Sequence, residues 1–470
     1  MKVLICNFIY LTAVKLKQSW FLTLSLVYIP LLAVATFPGR GGYEGGQREI
    51  EDFSQKIDWW GFATPFLYGK WPNQNGYWNY SLGIIQISIY WLGIYLIFKN
   101  TSLTIYKKNW ILHFFIFSGL LFSFQLWRDS TLFSLLTLCV GLNYQFLRTR
   151  SFSKKIFIII FSSIILLIAG LFKVIFMPVY ILIFSYPFIY KKSIKYFLKN
   201  NFIILIILIL TVPLPYLIDK KLISETHMTK TYPEQQPMIY DLSAISCWGI
   251  KESDRQNALL ALQPFLKENY PKDSICAFMR TNDWGSLVQK TSRWEYSPPL
   301  NPIKHNDQDS FHILQFSWLR TITNSPQSWL TWKSQTLFQS ITMSGAITSG
   351  ANSRQPISNS LTKFSDVLWK LIITPFKFLD SIRLYSVIGI LFSLLLLLNR
   401  KGKYFTQIET KFSFPKVGSS WLILILGILI SLESVAFVAS NGRYIFGLIV
   451  LLLINLFVTS SEEFSRGDRN

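Results

Sequence analysis

Acidic side chains cluster in one short stretch near the N-terminus. Glu44, Glu49, Glu51 and Asp52 lie within nine residues, and glycines stand on both sides of Tyr43-Glu44. Glycine lets a backbone turn sharply and approach a ligand closely, and a carboxylate beside a substrate hydroxyl can act as a general base. The alternative is a solvated acidic loop with no chemistry. We take the four carboxylates as candidate catalytic residues, with Glu44 placed best.

Single cations stand in short segments between long apolar runs. They are Lys173, Arg128 and Arg443. A guanidinium is always charged and binds phosphate in a bidentate manner, so these positions are candidates for binding a phosphate group. Three neighbours could support them: Asp129, Glu433 and Tyr444. The alternatives are a local ion pair in the turn 127–130 and, for Glu433, a buried structural ion pair.

The elements that must position these residues are apolar runs of membrane-spanning length. The chain has 470 residues, of which 51% are hydrophobic and 15% are charged, whereas a soluble protein carries about 25% charged residues. About 20 apolar residues in a helix cross a bilayer core. The runs are 20–37, 80–98, 110–126, 131–147, 156–172, 174–190, 202–218, 384–399, 420–439 and 444–460. They predict a mainly α, polytopic membrane protein with about ten transmembrane helices.

Basic residues alternate between the loops that join these runs. With the N-terminus in the cytoplasm, the inner loops hold nineteen lysines and arginines and the short outer loops hold three. This bias sets membrane orientation, so it predicts that both termini are cytoplasmic. The net charge of +21 therefore encodes topology and does not indicate nucleic-acid binding.

This topology divides the chain into three regions. Residues 1–218 form an N-terminal transmembrane region with a first outer loop at 38–79, residues 219–383 form a small extracytoplasmic domain, and residues 384–470 form a C-terminal transmembrane region. The stretch 362–382 mixes aromatic and charged residues, which is typical of a helix lying on a membrane surface. The stretch 328–343, with Trp329 and Trp332, shows the same pattern more weakly.

Two of the four cysteines fall in the predicted outer domain. An oxidising compartment permits a disulfide between Cys247 and Cys276, and two free thiols are the alternative. Cys6 and Cys139 lie in or beside apolar runs and are expected to be small buried side chains. No spacing of cysteine and histidine indicates a metal site.

The order of these features resembles the glycosyltransferase-C (GT-C) superfamily, and it looks closest to the group around the dolichyl-phosphate-mannose–protein mannosyltransferases. The matching pieces run along most of the chain. They are the acidic loop after the first span, the turn Arg128-Asp129-Ser130, the run Met238–Ser246, the segment Asn324–Leu330 and the pair Arg443-Tyr444.

The resemblance implies a transferase that takes a sugar from a polyprenyl-phosphate donor, with a glycan, lipid or protein as acceptor. The first outer loop would supply the catalytic carboxylate, which is usually an aspartate in that superfamily, whereas Glu44 stands here. Glu49, Glu51 or Asp52 could carry the role instead. The resemblance also implies a bacterial inner (plasma) membrane protein. The resemblance implies no particular cofactor, and it leaves open whether the enzyme uses a divalent metal ion.

Three other functions fit the same topology. A surface-polysaccharide polymerase or ligase shares the multi-span body and the large outer loop. A transporter or flippase of lipid-linked sugars would show internal repeats and broken helices, and the sequence has no such repeat. A membrane scaffold would use the outer domain only to bind a partner.

Overall fold

A computed structural model describes the chain at residues 30, 31, 34, 57–58, 77–100, 110–123, 128–172, 213–225, 229–230, 232, 235–267, 274–279, 299–304, 307–342, 360–373 and 450–455. These residues are mainly helical. In chain order the elements are β1 (Ile57–Asp58), α1 (Tyr77–Lys99), α2 (Trp110–Ser123), α3 (Arg128–Arg148), α4 (Phe152–Phe172), α5 (Pro213–Glu225), β2 (Thr229–Lys230), α6 (Gln235–Trp248), α7 (Glu252–Leu262), α8 (Ser274–Phe278), α9 (Gln308–Asn324), α10 (Pro326–Thr342) and α11 (Ser360–Ile373).

Four helices coincide with predicted spans. Helices α1 to α4 match the runs 80–98, 110–126, 131–147 and 156–172, and residues 450–455 are helical and buried within the predicted last span. Among the described residues, one helix, Phe152–Leu171, is by itself long and apolar enough to cross a membrane, with a mean hydropathy of 2.2. The predicted spans 174–190, 384–399 and 420–439 lie outside the described residues. The number of ten spans therefore stays a prediction.

Helices α1 and α3 run parallel and in register. Gln86 donates a hydrogen bond to Thr131, and Asn100 Nδ2 donates to Gln145 Oε1 at 2.9 Å; the same offset of 45 residues joins both pairs. Between them the backbones touch at glycine. A Cβ atom on Gly93 would lie 2.6 Å from the carbonyl oxygen of Thr137. Small residues that let backbones approach are typical of helix packing in membranes.

Helix α4 packs antiparallel to α3 and leaves its other face open. Cys139 Sγ lies 3.7 Å from the Ser162 carbonyl oxygen, and Lys155 Nζ lies 5.3 Å from the centre of the Phe146 ring. The two residue numbers have the same sum in both pairs, as they do when two helices run in opposite directions. Cys139 itself is buried, as its apolar surroundings predict. The open face carries exposed apolar side chains: Phe157, Ile160, Phe161, Ile164 and Ile168. A stripe of this kind suits a surface that faces lipid.

A second helical unit follows from Tyr232 to Trp332, with its own hydrophobic core. Helix α6 is its centre, because eight consecutive residues, Met238 to Ile245, are buried. Helices α7, α8, α9 and α10 surround it. Helix α9 begins at an Asp307 cap, whose carboxylate accepts a hydrogen bond from Ser310 N at 3.1 Å, as is typical of a helix N-terminus.

Two details differ from the boundaries predicted by sequence. Helix α5 runs across residue 218, so the predicted boundary between the first transmembrane region and the outer domain falls inside a helix and not at its end. Helix α10 covers the weaker interfacial segment, but Trp332 is 3% exposed and lies in the core of the domain, where Trp329 also packs. Trp332 therefore contacts protein, and the interfacial interpretation of the stretch 328–343 stays a prediction.

Candidate functional site

The predicted catalytic loop connects to the outer domain through a short parallel strand pair. Ile57 pairs with Thr229, and Asp58 pairs with Lys230. The strand β1 follows the acidic loop in the chain, and β2 opens the outer domain. The candidate catalytic residues Glu44, Glu49, Glu51 and Asp52 lie outside the described residues.

The candidate phosphate-binding residues are described in part. Helix α3 begins at Arg128, so Arg128, Asp129 and Ser130 form its first turn and not a separate loop. Lys173, Arg443, Tyr444 and Glu433 lie outside the described residues.

Buried polar groups lie near the end of the bundle at which α3 begins. Gln86 and Thr131 are hydrogen bonded across α1 and α3, and both are buried. Ser130 is fully buried, and its hydroxyl meets no hydrogen-bond partner among the described residues.

The most elaborate polar constellation lies in the outer domain around Asp241. Its carboxylate is fully buried and accepts three indole hydrogen bonds. Trp329 Nε1 lies 2.9 Å and Trp318 Nε1 3.2 Å from Oδ2, while Trp332 Nε1 lies 3.1 Å from Oδ1. Lys333 Nζ completes the set at 2.7 Å from Oδ1, and it too is buried.

The sequence brings these donors together through helical spacing and one tight connection. Trp329, Trp332 and Lys333 stand three and four residues apart on α10, so they share one face of the helix. Helices α9 and α10 are joined by Ser325 alone. This short connection turns Trp318 of α9 toward the same carboxylate.

A second buried carboxylate, Asp254, secures the same connection. Ser325 Oγ donates to Asp254 Oδ1 at 2.9 Å, and Ser328 Oγ donates to Oδ2 at 2.6 Å. The Ser328 hydroxyl also accepts a hydrogen bond from Ile250 N at 2.9 Å. The hydrogen bond from Ser328 is the main cause that lowers the pKa of Asp254, and it outweighs the burial that raises this pKa.

Cys247 and Cys276 form a disulfide, the pairing that the sequence left open beside two free thiols. The bond joins the end of α6 to α8. The disulfide and Asp241 thus tie the central helix α6 to α8, α9 and α10, while Asp254 ties α7 to the connection between α9 and α10.

The two carboxylates of the outer domain are anchors and not catalytic bases. Each oxygen of Asp241 already accepts two donors, and each oxygen of Asp254 accepts a serine hydroxyl. A base must instead reach the proton that it abstracts from a substrate. Among the described residues, the arrangement therefore stabilises the outer domain, and the acidic loop remains the predicted place for chemistry.

The run Met238–Ser246, which contains Asp241, and the segment Asn324–Leu330 match the GT-C pattern in sequence, but the sequence predicted no structural role for them. The available signal was a lone acid inside an apolar helix, since a buried charge needs a partner. Three tryptophans and a lysine within sixteen residues, 318–333, offered the donors. Which of them meet Asp241 depends on the packing of α9 and α10.

Among the described residues, no group of three or more histidine, cysteine or acidic side chains is placed to hold a metal ion. Comparisons of the chain with protein-family models, with curated proteins and with solved structures found no match.

Proposed function

We propose that this chain is a membrane glycosyltransferase of GT-C type that moves a sugar from a polyprenyl-phosphate donor to an acceptor on the extracytoplasmic face. The pairing of β1 with β2 carries the proposal. Two hydrogen-bonded segments must lie on the same side of a membrane, and Ile57–Asp58 follows the acidic loop while Thr229–Lys230 opens the outer domain. Asp58 follows Asp52 by six positions in the chain, and six positions span at most about 20 Å. Asp52 therefore lies within about 20 Å of the strand pair.

The direction of the helices supports the topology of this proposal. Because α1 and α3 are parallel and α4 is antiparallel to α3, the C-terminal ends of α1 and α3 meet the N-terminal end of α4. The basic residues at that end are Lys99, Arg148, Arg150, Lys154 and Lys155. A basic end fits the cytoplasmic side, which leaves the opposite end, with Arg128 and Ser130, on the same side as the outer domain.

The disulfide supports the same orientation. Disulfides persist in oxidising compartments such as the bacterial periplasm and are rare in the cytosol. Cys247 and Cys276 are bonded in the outer domain, which suits an extracytoplasmic position for residues 219–383.

The proposed mechanism uses few groups. The donor enters sideways from the bilayer, and its phosphate is neutralised by Arg128, Lys173 and Arg443, which also stabilises the leaving group. A carboxylate of the acidic loop takes the proton of the acceptor hydroxyl as its oxygen bonds to the anomeric carbon of the sugar. The bond from that carbon to the phosphate oxygen breaks, and polyprenyl phosphate leaves. The outer domain, fixed by its buried anchors, covers the site and selects the acceptor.

The test is sugar transfer from a polyprenyl-phosphate sugar by the full chain in proteoliposomes. We expect one of Glu44→Gln, Glu49→Gln, Glu51→Gln or Asp52→Asn to lower the rate about 10²–10⁴-fold, the usual contribution of a general base. Glu252→Gln is the matched control, because Glu252 is an exposed acid of the outer domain that pairs with Arg255. It should leave the rate unchanged.

The same experiment separates the rival functions. Wild-type rates in all four loop variants would remove the base from this loop. Elongated glycan chains as product would indicate a polymerase. Movement of the intact lipid-linked sugar across the bilayer, without transfer, would indicate a flippase.

A further inference from the structure

Helix α11, after the outer domain, presents an uncovered apolar stripe. Phe364 and Val367 are each 58% exposed and Leu371 is 67% exposed. Their spacing of three and four residues places them along one side of the helix. Ser365 and Trp369, on the other side, are buried at 0% and 4%, so the helix is docked on protein through one face while the stripe stays open.

Two lysines border this stripe. Lys363 and Lys370 are exposed and stand seven residues apart, so they lie two helical turns from each other on the same side. Lysine can lay its aliphatic stem along apolar surface while its ammonium group reaches toward polar surroundings. A row of apolar side chains edged by lysines is the pattern of a helix that lies in a lipid interface.

The position in the chain decides which surface covers the stripe. Helix α11 ends at Ile373, and the predicted span 384–399 begins eleven residues later. The helix is therefore tethered next to a bilayer. A second protein would need no lysine border, whereas bacterial and other anionic leaflets attract basic residues near their surface.

We propose that α11 is a lipid-binding helix that inserts Phe364, Val367 and Leu371 among the acyl chains of the outer leaflet and places Lys363 and Lys370 against the phosphates of anionic lipids. The sequence predicted an interfacial helix over 362–382; the structure adds which face meets lipid and which headgroup charge it selects. The helix would hold the outer domain at a fixed height above the membrane. This inference does not depend on the transferase proposal.

The experiment uses the full chain in nanodiscs, in a Cys6→Ser and Cys139→Ala background. Single cysteines at 364, 367 and 371 carry a fluorescent label sensitive to its surroundings, and a cysteine at 257 is the control. Asn257 is an exposed polar residue on α7 of the outer domain. We expect quenching by spin-labelled lipids and protection from aqueous iodide at the three stripe positions, and the reverse at 257.

The charge requirement is tested by Lys363→Glu with Lys370→Glu, again with the label at 364. In nanodiscs that contain phosphatidylglycerol, each lysine near the surface contributes about fivefold to partitioning, so the reversal should strongly reduce lipid quenching. Lys304→Glu, an exposed lysine of the outer domain, is the matched control and should not reduce it. In pure phosphatidylcholine the lysine variants should differ little from the parent.

Three results would overturn the proposal or part of it. Free access of iodide to labels at 364, 367 and 371 would show that water covers the stripe. Protection from both iodide and lipid quenchers would show that protein covers it. Equal lipid quenching with and without phosphatidylglycerol, unchanged by the lysine variants, would remove the selectivity for anionic lipid.

Discussion

The helix bundle α1 to α4 and the outer domain are both helical, but their helices are held together in different ways. In the bundle, backbones meet at Gly93 and Gly141, where a Cβ atom on Gly141 would lie 2.5 Å from the Gly93 carbonyl oxygen. In the outer domain, helices meet through a hydrophobic core, two buried carboxylates and a disulfide. Backbone therefore approaches backbone in the bundle, whereas buried side chains and a disulfide join the helices of the outer domain.

The solvent explains the difference if the bundle lies in lipid as proposed. Lipid tails are as apolar as leucine, so burying a leucine between helices gains little, and association relies on close packing and interhelical hydrogen bonds. The outer domain would face water under the same proposal, and there burial of apolar surface stabilises at about 25 cal/mol per Å². There each buried charge needs a full set of hydrogen-bond and ion-pair partners, and Asp241 has such a set in three indole groups and one ammonium group.

The strongest expected effect comes from breaking the Asp241 constellation. Asp241→Ala removes the carboxylate that lies 2.7 Å from the buried ammonium group of Lys333, and removing one partner of a buried pair costs about 3–5 kcal/mol. The free energy of unfolding of the purified full chain in detergent, followed by tryptophan fluorescence, measures this loss. The double variant Asp241→Ala with Lys333→Met should be more stable than Asp241→Ala alone. A double variant that is equally or less stable would contradict the role of this ion pair.

The disulfide should come next in size. It closes a loop with a sequence separation of 29 residues, for which chain entropy predicts about 3–4 kcal/mol. Cys247→Ser with Cys276→Ser should lower the Tm of the outer domain, and a reductant should lower the Tm of the parent by the same amount. The reductant should have no effect on the double variant. A parent Tm that does not respond to reductant would count against this contribution.

Ser328→Ala should have a smaller, pH-dependent effect. Hydrogen bonds to charged groups contribute about 1.5–3 kcal/mol, and this one lowers the pKa of Asp254 in the folded state. Stability from a lowered carboxyl pKa is complete above the unfolded pKa of about 3.9 and is lost as the pH falls through the folded pKa. The difference in unfolding free energy between wild type and variant should thus be largest at neutral pH and shrink in acid. Ser334→Ala is the control, because its exposed hydroxyl bonds only Leu330 of its own helix.

Gly93→Ala tests the other side of the comparison, with about 1–3 kcal/mol expected from overpacking. The new methyl group meets the backbone of α3, which cannot move aside as a flexible side chain can. Leu92→Ala, at a position that is 48% exposed, should cost much less. Resistance of the bundle to unfolding in increasing sodium dodecyl sulfate gives the measurement. Equal effects of the two substitutions would remove the argument for backbone contact.

Much of the helical layout could be predicted from sequence, because long apolar runs have few alternatives. Four predicted spans coincide with α1 to α4 within a few residues. Helix α11 covers residues 362–373 of the predicted amphipathic stretch 362–382, and the remainder lies outside the described residues. The start of α3 was less predictable: Arg128 and Asp129 look like a turn by composition, yet they open the helix. Terminal residues of helices depend on local capping and packing, which hydropathy does not contain.

The candidate site divides in the same way. The acidic loop and the cations were found by residue type and position, and they stay predictions. The link between β1 and β2 could not be foreseen, since a parallel pair of two residues at a separation of about 170 residues leaves no pattern in the sequence. The burial of Trp332 in the core could not be foreseen either, because an aromatic helix face can meet lipid or protein equally well.

The sequence by itself determined that this chain is mainly helical and where its longest helices lie. It also determined that lysines and arginines concentrate in the loops at one end of the predicted spans. These properties depend on hydropathy and charge summed over many residues, which the order of residues states directly. Only the tertiary structure decided which donors surround Asp241, that Cys247 pairs with Cys276, and that α1 and α3 touch at Gly93 and Gly141. Those contacts depend on distances of a few ångströms between residues far apart in the chain, and such distances are fixed only when the helices pack.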